Sequence, residues 1–206
     1  DGGEDEDEDD VLPPVAIGDD DETFQGVPVD IDVLANDQSG EGGGRLVLVS
    51  DGLSLANGGT VSVVDGKVRF VPDDDFVGRT SFTYEVDDDT GHDFRVSALV
   101  TVNVIGRPDR PPAPAVVRES GAIVLSWGTP ADNGAAIEYY WVRATGGSVT
   151  GDRTRRVSAN TWRFDGLRNG DLYRFQIAAV NEATRERFGD SPPPDGEFSP
   201  PSEEIQ

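Results

Sequence analysis

Alternating apolar residues near the end of the chain constrain its fold more than any other feature. Within residues 167–181, every second residue from Tyr173 to Ala179 is apolar, so one face of a period-two strand is expected to be buried. Leu167 and an Asn-Gly turn precede the tyrosine. This order is typical of a tyrosine corner in a β-sandwich. The segment therefore predicts a compact binding or spacer module rather than a catalytic domain.

Short runs of the same kind fill both halves of the chain. The predicted strands are residues 27–33, 45–49, 60–64, 67–71, 80–86 and 94–104 in the first half, and 123–127, 137–142, 153–158 and 161–164 in the second. Asp65 and Gly66 separate two of them by two residues, which is a strong hairpin signal. Gly-rich and Asp-rich turns lie between the runs, and no helical periodicity is evident. We therefore predict an all-β chain of antiparallel β-sandwiches.

Proline and charge divide the chain into segments. Residues 108–114 contain four prolines, which deny donors to a β-ladder and favour an extended, fairly stiff joint. The first ten residues are eight acidic residues and two glycines, which cannot build a core. We predict a disordered acidic linker at 1–12, an immunoglobulin-like sandwich at 13–106, a Pro-rich linker at 107–112 and a second sandwich at 113–206.

The charge is unevenly distributed and excludes some partners. Residues 1–106 carry 26 acidic and 5 basic residues, whereas residues 107–206 carry 14 acidic and 12 basic residues. The acidic half makes nucleic acid and anionic membranes unsuitable partners. No apolar run approaches the roughly 20 residues that cross a bilayer. We expect a monomeric fragment of a longer polypeptide whose targeting and anchoring segments lie elsewhere, with no membrane contact of its own.

The second half resembles a fibronectin type III domain. The residues that support this are Trp127, the Ile137/Tyr140/Val142 strand, Leu167, Tyr173 and the alternation that ends at Asn181. Members usually have Pro-Gly where this chain has Asn169-Gly170, a change in the chemistry of the turn. The resemblance covers nearly all of residues 109–206, and it implies a compact binding or spacer module.

The first half is similar to the cadherin-like or immunoglobulin-like repeats of bacterial surface proteins. The similarity rests on residues 33–37 (Val-Leu-Ala-Asn-Asp), 66–72 and 76–88, within a match over roughly 13–105. It implies a non-enzymatic part of an extracellular adhesin, a wall-associated protein or a modular hydrolase. One lysine stands against sixteen arginines, which is typical of a GC-rich genome such as that of an actinobacterium.

Two acidic loops of the first half are candidate metal ligands. In a sandwich of this type, the loop with Asn36 and Asp37 and the loop with Asp87, Asp88 and Asp89 lie at one pole. Calcium takes six to eight oxygen ligands, and these side chains supply several. The alternative, which we favour, is that Asp-rich turns simply form good turns on a soluble surface, since no EF-hand spacing is present. No cofactor is required, and calcium is the ion predicted for any bound metal.

The long segment after Asn181 is a candidate binding loop. Phe188, Gly189, Asp190 and Ser191 resemble the integrin-binding loop of some fibronectin type III domains, with Phe in place of Arg. The missing arginine removes the cation on which that recognition depends. A spacer stiffened by prolines is the interpretation that we favour for this loop.

Arginines and tryptophans offer two further surfaces. Arg153 and Arg155 share one face of a predicted strand and suffice for a small anionic contact. The alternative, which we favour, is that their charge protects an edge strand from aggregation. Trp141 and Trp162 stand out of phase with their core neighbours, and two exposed indoles on one face would suit sugar stacking. Trp127 is expected in the core.

Catalytic motifs are missing from the sequence. Cysteine is absent and His92 is the sole histidine, so neither a thiolate nucleophile nor a histidine-rich zinc site is available. No nucleophile motif, phosphate loop or dinucleotide fingerprint is present. We predict no enzyme activity and a non-catalytic extracellular or cell-surface spacer or adhesion segment. The alternatives are a specific protein- or glycan-binding module and an accessory part of a secreted polysaccharide hydrolase.

Overall fold

Two compact units make up the chain. The computed structural model describes residues 12–40, 44–91, 94–147, 153–165, 167–168 and 170–206. Contacts divide the chain into Asp1–Val104 and Ile105–Gln206, and each unit has a separate hydrophobic core. The acidic leader at 1–11, His92 and Asn169 lie outside the described residues. The architecture is nearly all β, as the alternation predicts.

Seven strands in two sheets form the first unit. They are β1 (Asp19–Phe24), β2 (Val29–Ile31), β3 (Leu46–Leu48), β4 (Gly59–Val64), β5 (Lys67–Pro72), β6 (Gly78–Asp88) and β7 (Val96–Ile105). One sheet has the order β1-β7-β6-β3, and the other has the order β2-β5-β4. The pairs β6–β7, β3–β6, β2–β5 and β4–β5 are antiparallel.

The core of the first unit follows from alternation along its longest strands. In β6, every second residue from Thr80 to Asp88 is buried. Phe82 of β6 stacks on Phe70 of β5 with ring centroids 6.2 Å apart, so the two sheets meet through their inner faces. Full burial of one such aromatic side chain contributes about 1.5–3 kcal/mol.

Strand β1 is absent from the sequence-based prediction. Its residues run Asp-Asp-Asp-Glu-Thr-Phe, and aspartate is depleted in strands. The strand lies at the edge of its sheet beside β7, where most of its carboxylates face solvent. Pairing with a distant strand stabilises it, whereas its own propensity does not.

The second unit repeats the two-sheet plan with different strands. They are β8 (Ala115–Glu119), β9 (Ala122–Ser126), β10 (Tyr139–Gly146), β11 (Arg153–Val157), β12 (Thr161–Asp165) and β13 (Tyr173–Val180). Their orders are β11-β10-β13 and β12-β9-β8, and every pair is antiparallel. Trp127 is buried as predicted and packs edge-on against Tyr140, with ring centroids 5.4 Å apart.

The end of the chain extends the sheet beyond β13. The N–H of Ser199 donates to the carbonyl of Ile177 at 2.7 Å, and Ile205 and Tyr173 exchange backbone bonds at 2.8 and 3.0 Å. Two prolines, at 200 and 201, remove ladder donors between these points. The end of the chain is therefore joined to β13 by separate backbone bonds rather than by a continuous strand.

The segment after Asn181, predicted to be a loop, begins instead as a helix. Residues Glu182–Phe188 form α1, and a short 3-10 turn follows at Asp195–Glu197. None of the helices formed by the described residues is long and apolar enough to cross a membrane.

The first residues of the predicted Pro-rich linker are bonded to the second unit. The N–H of Gly106 donates to the carbonyl of Asn133 at 2.8 Å, and the N–H of Asp109 donates to the carbonyl of Ala131 at 2.9 Å. These bonds give residues 106–109 fixed partners in a loop of their own unit. The sequence, which shows only their prolines, does not reveal those partners.

Candidate functional site

The hydroxyl of Tyr84 is the centre of a buried polar cluster in the first unit. Tyr84 is fully buried on β6. Its hydroxyl lies 2.9 Å from Oδ1 of Asp37 and 3.0 and 3.1 Å from the carbonyl oxygens of Ile17 and Val33. A hydroxyl carries one proton, so several acceptors compete for it. The pKa of Tyr84 lies well above its ordinary value. Burial is the largest cause, and the hydrogen bond to Asp37 and the negative charge of Asp37 act in the same direction.

The turn at Asn36 and Asp37 binds the chain segment before β1. The N–H of Ile17 donates to Oδ1 of Asp37 at 2.7 Å, and Nδ2 of Asn36 lies 3.3 Å from the carbonyl oxygens of Ile17 and Gly18. These two predicted metal ligands are thus occupied by groups of their own unit. Together with Tyr84 they fix an otherwise irregular segment against β6.

A second carboxylate, that of Asp19, lies beside this cluster. Its pKa is raised because burial disfavours the charged form and because the charge of Asp37 is close; hydrogen bonds from Tyr84 and Asn36 act in the opposite direction. Oδ2 of Asp19 is buried and has no donor among the described residues. Burial and the nearby charge of Asp37 therefore both oppose ionisation of Asp19.

The other predicted ligands lie at the end of β6. Asp88 is buried, and the N–H and hydroxyl of Thr90 donate to its Oδ1. Oδ1 of Asp89 accepts from the N–H of Arg45 at 2.6 Å. The second oxygen of Asp88 and Oδ1 of Asp87 have no donor among the described residues.

The structure does not bring the five predicted ligands together. Four residues separate Asp88 from Tyr84 on one strand, which is about 13 Å at 3.3 Å per residue. Asn36 and Asp37 lie near Tyr84, whereas Asp87 and Asp89 lie next to Asp88, at the end of β6. Among the described residues, no group of three or more Asp, Glu or His side chains is arranged to hold a metal ion. Calcium binding stays a prediction.

In the second unit, Tyr173 joins a turn to the core. Its hydroxyl accepts from the N–H of Arg168 at 3.1 Å and lies 3.3 Å from Oδ2 of Asp171. A bond to the backbone a few residues upstream is the geometry of a tyrosine corner. Leu167 packs against the same core. These signature residues organise the scaffold.

Asn181 is a buried residue whose role the sequence analysis missed. Its Oδ1 accepts from the N–H of Thr184 at 3.0 Å and caps α1, while its Nδ2 donates to the carbonyls of Gly106 and Asp132 at 2.8 and 2.9 Å. The spacing Asn-x-x-Thr before Glu182–Phe188 is a capping signal. That signal was available from the sequence, but the two distant carbonyl partners were not.

The predicted binding loop is partly helical. Phe188 ends α1 and is half-buried, with the guanidinium carbons of Arg107 and Arg187 at 5.7 and 5.6 Å from its ring centre. Gly189 has a φ of 68° and closes the helix through a bond to a carbonyl of the last turn. Gly189, Asp190 and Ser191 form an exposed turn after the helix.

The two tryptophans considered for sugar stacking do not share a face. Trp141 lies on β10 opposite Ala178 and out of phase with the core residues Tyr140 and Val142. Trp162 lies on β12 opposite the buried Leu125 and packs against the core. They belong to different sheets and do not form one platform.

Comparison with protein families gives one match in each half. Residues 9–104 match the model of the bacterial Ig domain, and residues 108–193 match that of the fibronectin type III domain. Domains of these kinds are typical of extracellular modular proteins and are generally non-catalytic structural modules.

Solved structures with a similar fold come from larger proteins. Domains A168–A170 of titin match with 17% identity and a TM-score of 0.50, covering 89% of this chain and 59% of that structure. The twitchin kinase region from C. elegans matches with 22% identity and a TM-score of 0.36, covering 48% of this chain and 16% of that structure. The chain is thus shorter than either relative, and the titin likeness shows the fold alone.

Proposed function

We propose that this chain, a bacterial Ig domain followed by a fibronectin type III domain, is a non-catalytic spacer and adhesion segment of a larger exported protein. The observation that supports the proposal is that polar side chains inside each unit form hydrogen bonds with its backbone. Tyr84 and Asp37 in the first unit, and Tyr173 and Asn181 in the second, all bond to the backbone of their own unit. Such groups stabilise irregular segments, which is a scaffold role.

The placement of charge supports the same role. Most carboxylates of the first unit are on exposed positions, such as those of β1. A strongly negative surface keeps a protein soluble and discourages non-specific association. A spacer at a cell surface requires both properties, and we assign the chain to that location.

Pulling on the full chain from its two ends tests the spacer role. Because each unit has its own core, we expect two unfolding events under force, each releasing about 30–35 nm of chain at 3.3–3.6 Å per residue. Tyr84→Phe should lower the force of one event only, since it weakens the first unit. Extension without force peaks, or a single event, would show that the units do not bear load and would contradict the proposal.

A further inference from the structure

A groove opens between the two sheets of the second unit, along strands β11 and β12. Each of these strands is the outermost of its sheet, and among the described residues neither has a strand on its outer side. The groove has a volume of about 690 Å³ and is lined by Arg153, Thr154 and Arg155 of β11 and residues 162–165 of β12. We call it the β11–β12 groove.

The register shows which side chains face this groove. Arg153 lies opposite Ala144 and Arg155 opposite Val142, and directly opposite residues share one face of a sheet. Ala144 and Val142 are fully buried, so both arginines project from the inner face of β11. They are nevertheless exposed. The inner face of β11 is therefore open to solvent at this edge.

The opposite wall of the groove is aromatic. Trp162 and Phe164 lie opposite Leu125 and Ile123, which are buried, so these rings also face inward. Phe164 is buried and Trp162 is only half-buried, so part of the indole remains open to a ligand. The groove combines a cationic wall with an apolar one.

The three arginines of the groove differ in their partners. Arg163 pairs with Glu119 and Asp165, whereas Arg153 and Arg155 form no ion pair with any described residue. An unpaired guanidinium presents a fork of donors that fits a carboxylate.

We propose that the β11–β12 groove binds an extended acidic segment of a partner polypeptide, with carboxylates at alternate positions. Same-face residues of any strand repeat at about 6.6 Å, so the carboxylates of such a segment have the same spacing as Arg153 and Arg155. The free edges of β11 and β12 offer backbone groups for strand addition. Trp162 also faces inward, so its indole contacts the methylene groups of the acidic side chains.

The same arginines oppose pairing of this edge with the identical edge of a second copy. A strand edge that carries Arg153, Arg155 and Arg156 repels an identical edge, and inward-pointing charges are a known protection against edge-to-edge pairing. An acidic strand meets attraction instead. The groove therefore selects its partner by charge. An anionic glycan provides carboxylates but has no backbone N–H groups to pair with the strand.

The test is a titration of the isotope-labelled full chain, followed by NMR, with two synthetic peptides of equal composition. One is Thr-Glu-Val-Glu-Val-Glu-Thr, and the other is Glu-Val-Thr-Glu-Val-Thr-Glu. We expect the alternating peptide to shift the amides of β11 and β12 and the indole of Trp162. The second peptide should bind several-fold more weakly, because no two of its glutamates are two residues apart on one face, which is the spacing of Arg153 and Arg155. Added salt should weaken the binding of both peptides.

Arginine variants locate the contact. Arg153→Gln with Arg155→Gln should weaken the alternating peptide about tenfold, as expected for the loss of two partly exposed ion pairs. Arg118→Gln is the matched control, because Arg118 is also an exposed arginine on an edge strand, lies opposite the buried Ile123, and forms no ion pair with the described residues. It should leave the affinity unchanged.

Four outcomes of the ligand titrations would overturn the proposal. They are equal binding of the two peptides, shifts outside the groove, unchanged affinity of the double variant, and an oligogalacturonate that shifts the groove resonances where the alternating peptide does not. Concentration-dependent shifts in the groove without any peptide would assign it to self-association and would also overturn it. None of these results bears on the spacer role, which the pulling experiment tests separately.

Discussion

Replacing Asn181 should destabilise the second unit more than any exposed substitution. The side chain is fully buried and makes one capping bond to Thr184 and two bonds to the carbonyls of Gly106 and Asp132. Loss of a cap costs about 1 kcal/mol, and each lost bond to the backbone costs about 1 kcal/mol more. Asn181→Ala should therefore lower the free energy of unfolding by about 3 kcal/mol.

Tryptophan fluorescence is a selective assay for this change. All three tryptophans of the chain, at 127, 141 and 162, lie in the second unit, so their signal in a urea titration reports that unit alone. In a thermal scan of a unit of this size, 3 kcal/mol corresponds to a fall in the melting temperature on the order of 15 °C. The first unit, followed by calorimetry, should be unaffected.

Asn181→Asp separates the two roles of the side chain. Aspartate is a good helix cap and its charge is favourable at a helix N-terminus. However, it has no N–H groups to donate to the carbonyls of Gly106 and Asp132. If the donor role dominates, Asn181→Asp should be at least as destabilised as Asn181→Ala. A variant within about 0.5 kcal/mol of the parent chain would refute the reasoning, since capping would then explain the burial.

Three further predictions concern the first unit. Tyr84→Phe should destabilise it by about 1–3 kcal/mol in calorimetry, because buried acceptors lose their donor; an unchanged melting temperature would contradict this. Asp19→Asn should stabilise it by less than about 1 kcal/mol after solvent screening at pH 7. The folded pKa of Asp19 is raised above its ordinary value of 3.8, so between the unfolded and the folded pKa the native state binds more protons than the unfolded state. Above the folded pKa, the charged carboxylate lowers the stability of the native state. The gain from Asp19→Asn should therefore disappear below pH 3.8, and a gain that persists there would exclude charge as its cause. Calcium should leave the melting temperature unchanged relative to chelator, because Asp37 is already bonded to the protein; a rise that Asp88→Asn abolishes would place an ion at the end of β6.

Much of the strand content could be predicted because alternation is a local property. The runs at 67–71, 80–86 and 94–104 appear in the structure within two or three residues as β5, β6 and β7. Each has a clear period of two, which requires only that one face be buried. Tyr173 and Leu167 were recognised for the same reason, since they are close in the sequence.

Features that depend on distant partners were missed. The acidic β1 has poor strand propensity and is stabilised by pairing with β7. The helix Glu182–Phe188 is only seven residues long, too short for a periodic signal, and its cap is Asn181. The proximity of Asp19 to Asp37 also has no signature in a sequence, because 18 positions separate them.

The sequence alone determined that this chain is built from alternating strands, that its acid lies in the first half, and that Tyr173 and Trp127 belong to a sandwich. These follow from neighbours along the chain. The tertiary structure decided which groups come together: the hydroxyl of Tyr84 bonds to Asp37, and Arg153 and Arg155 line one groove with Trp162. The physical reason is that strand register, which sets the face and the partner of each side chain, arises from pairing between strands far apart in the sequence.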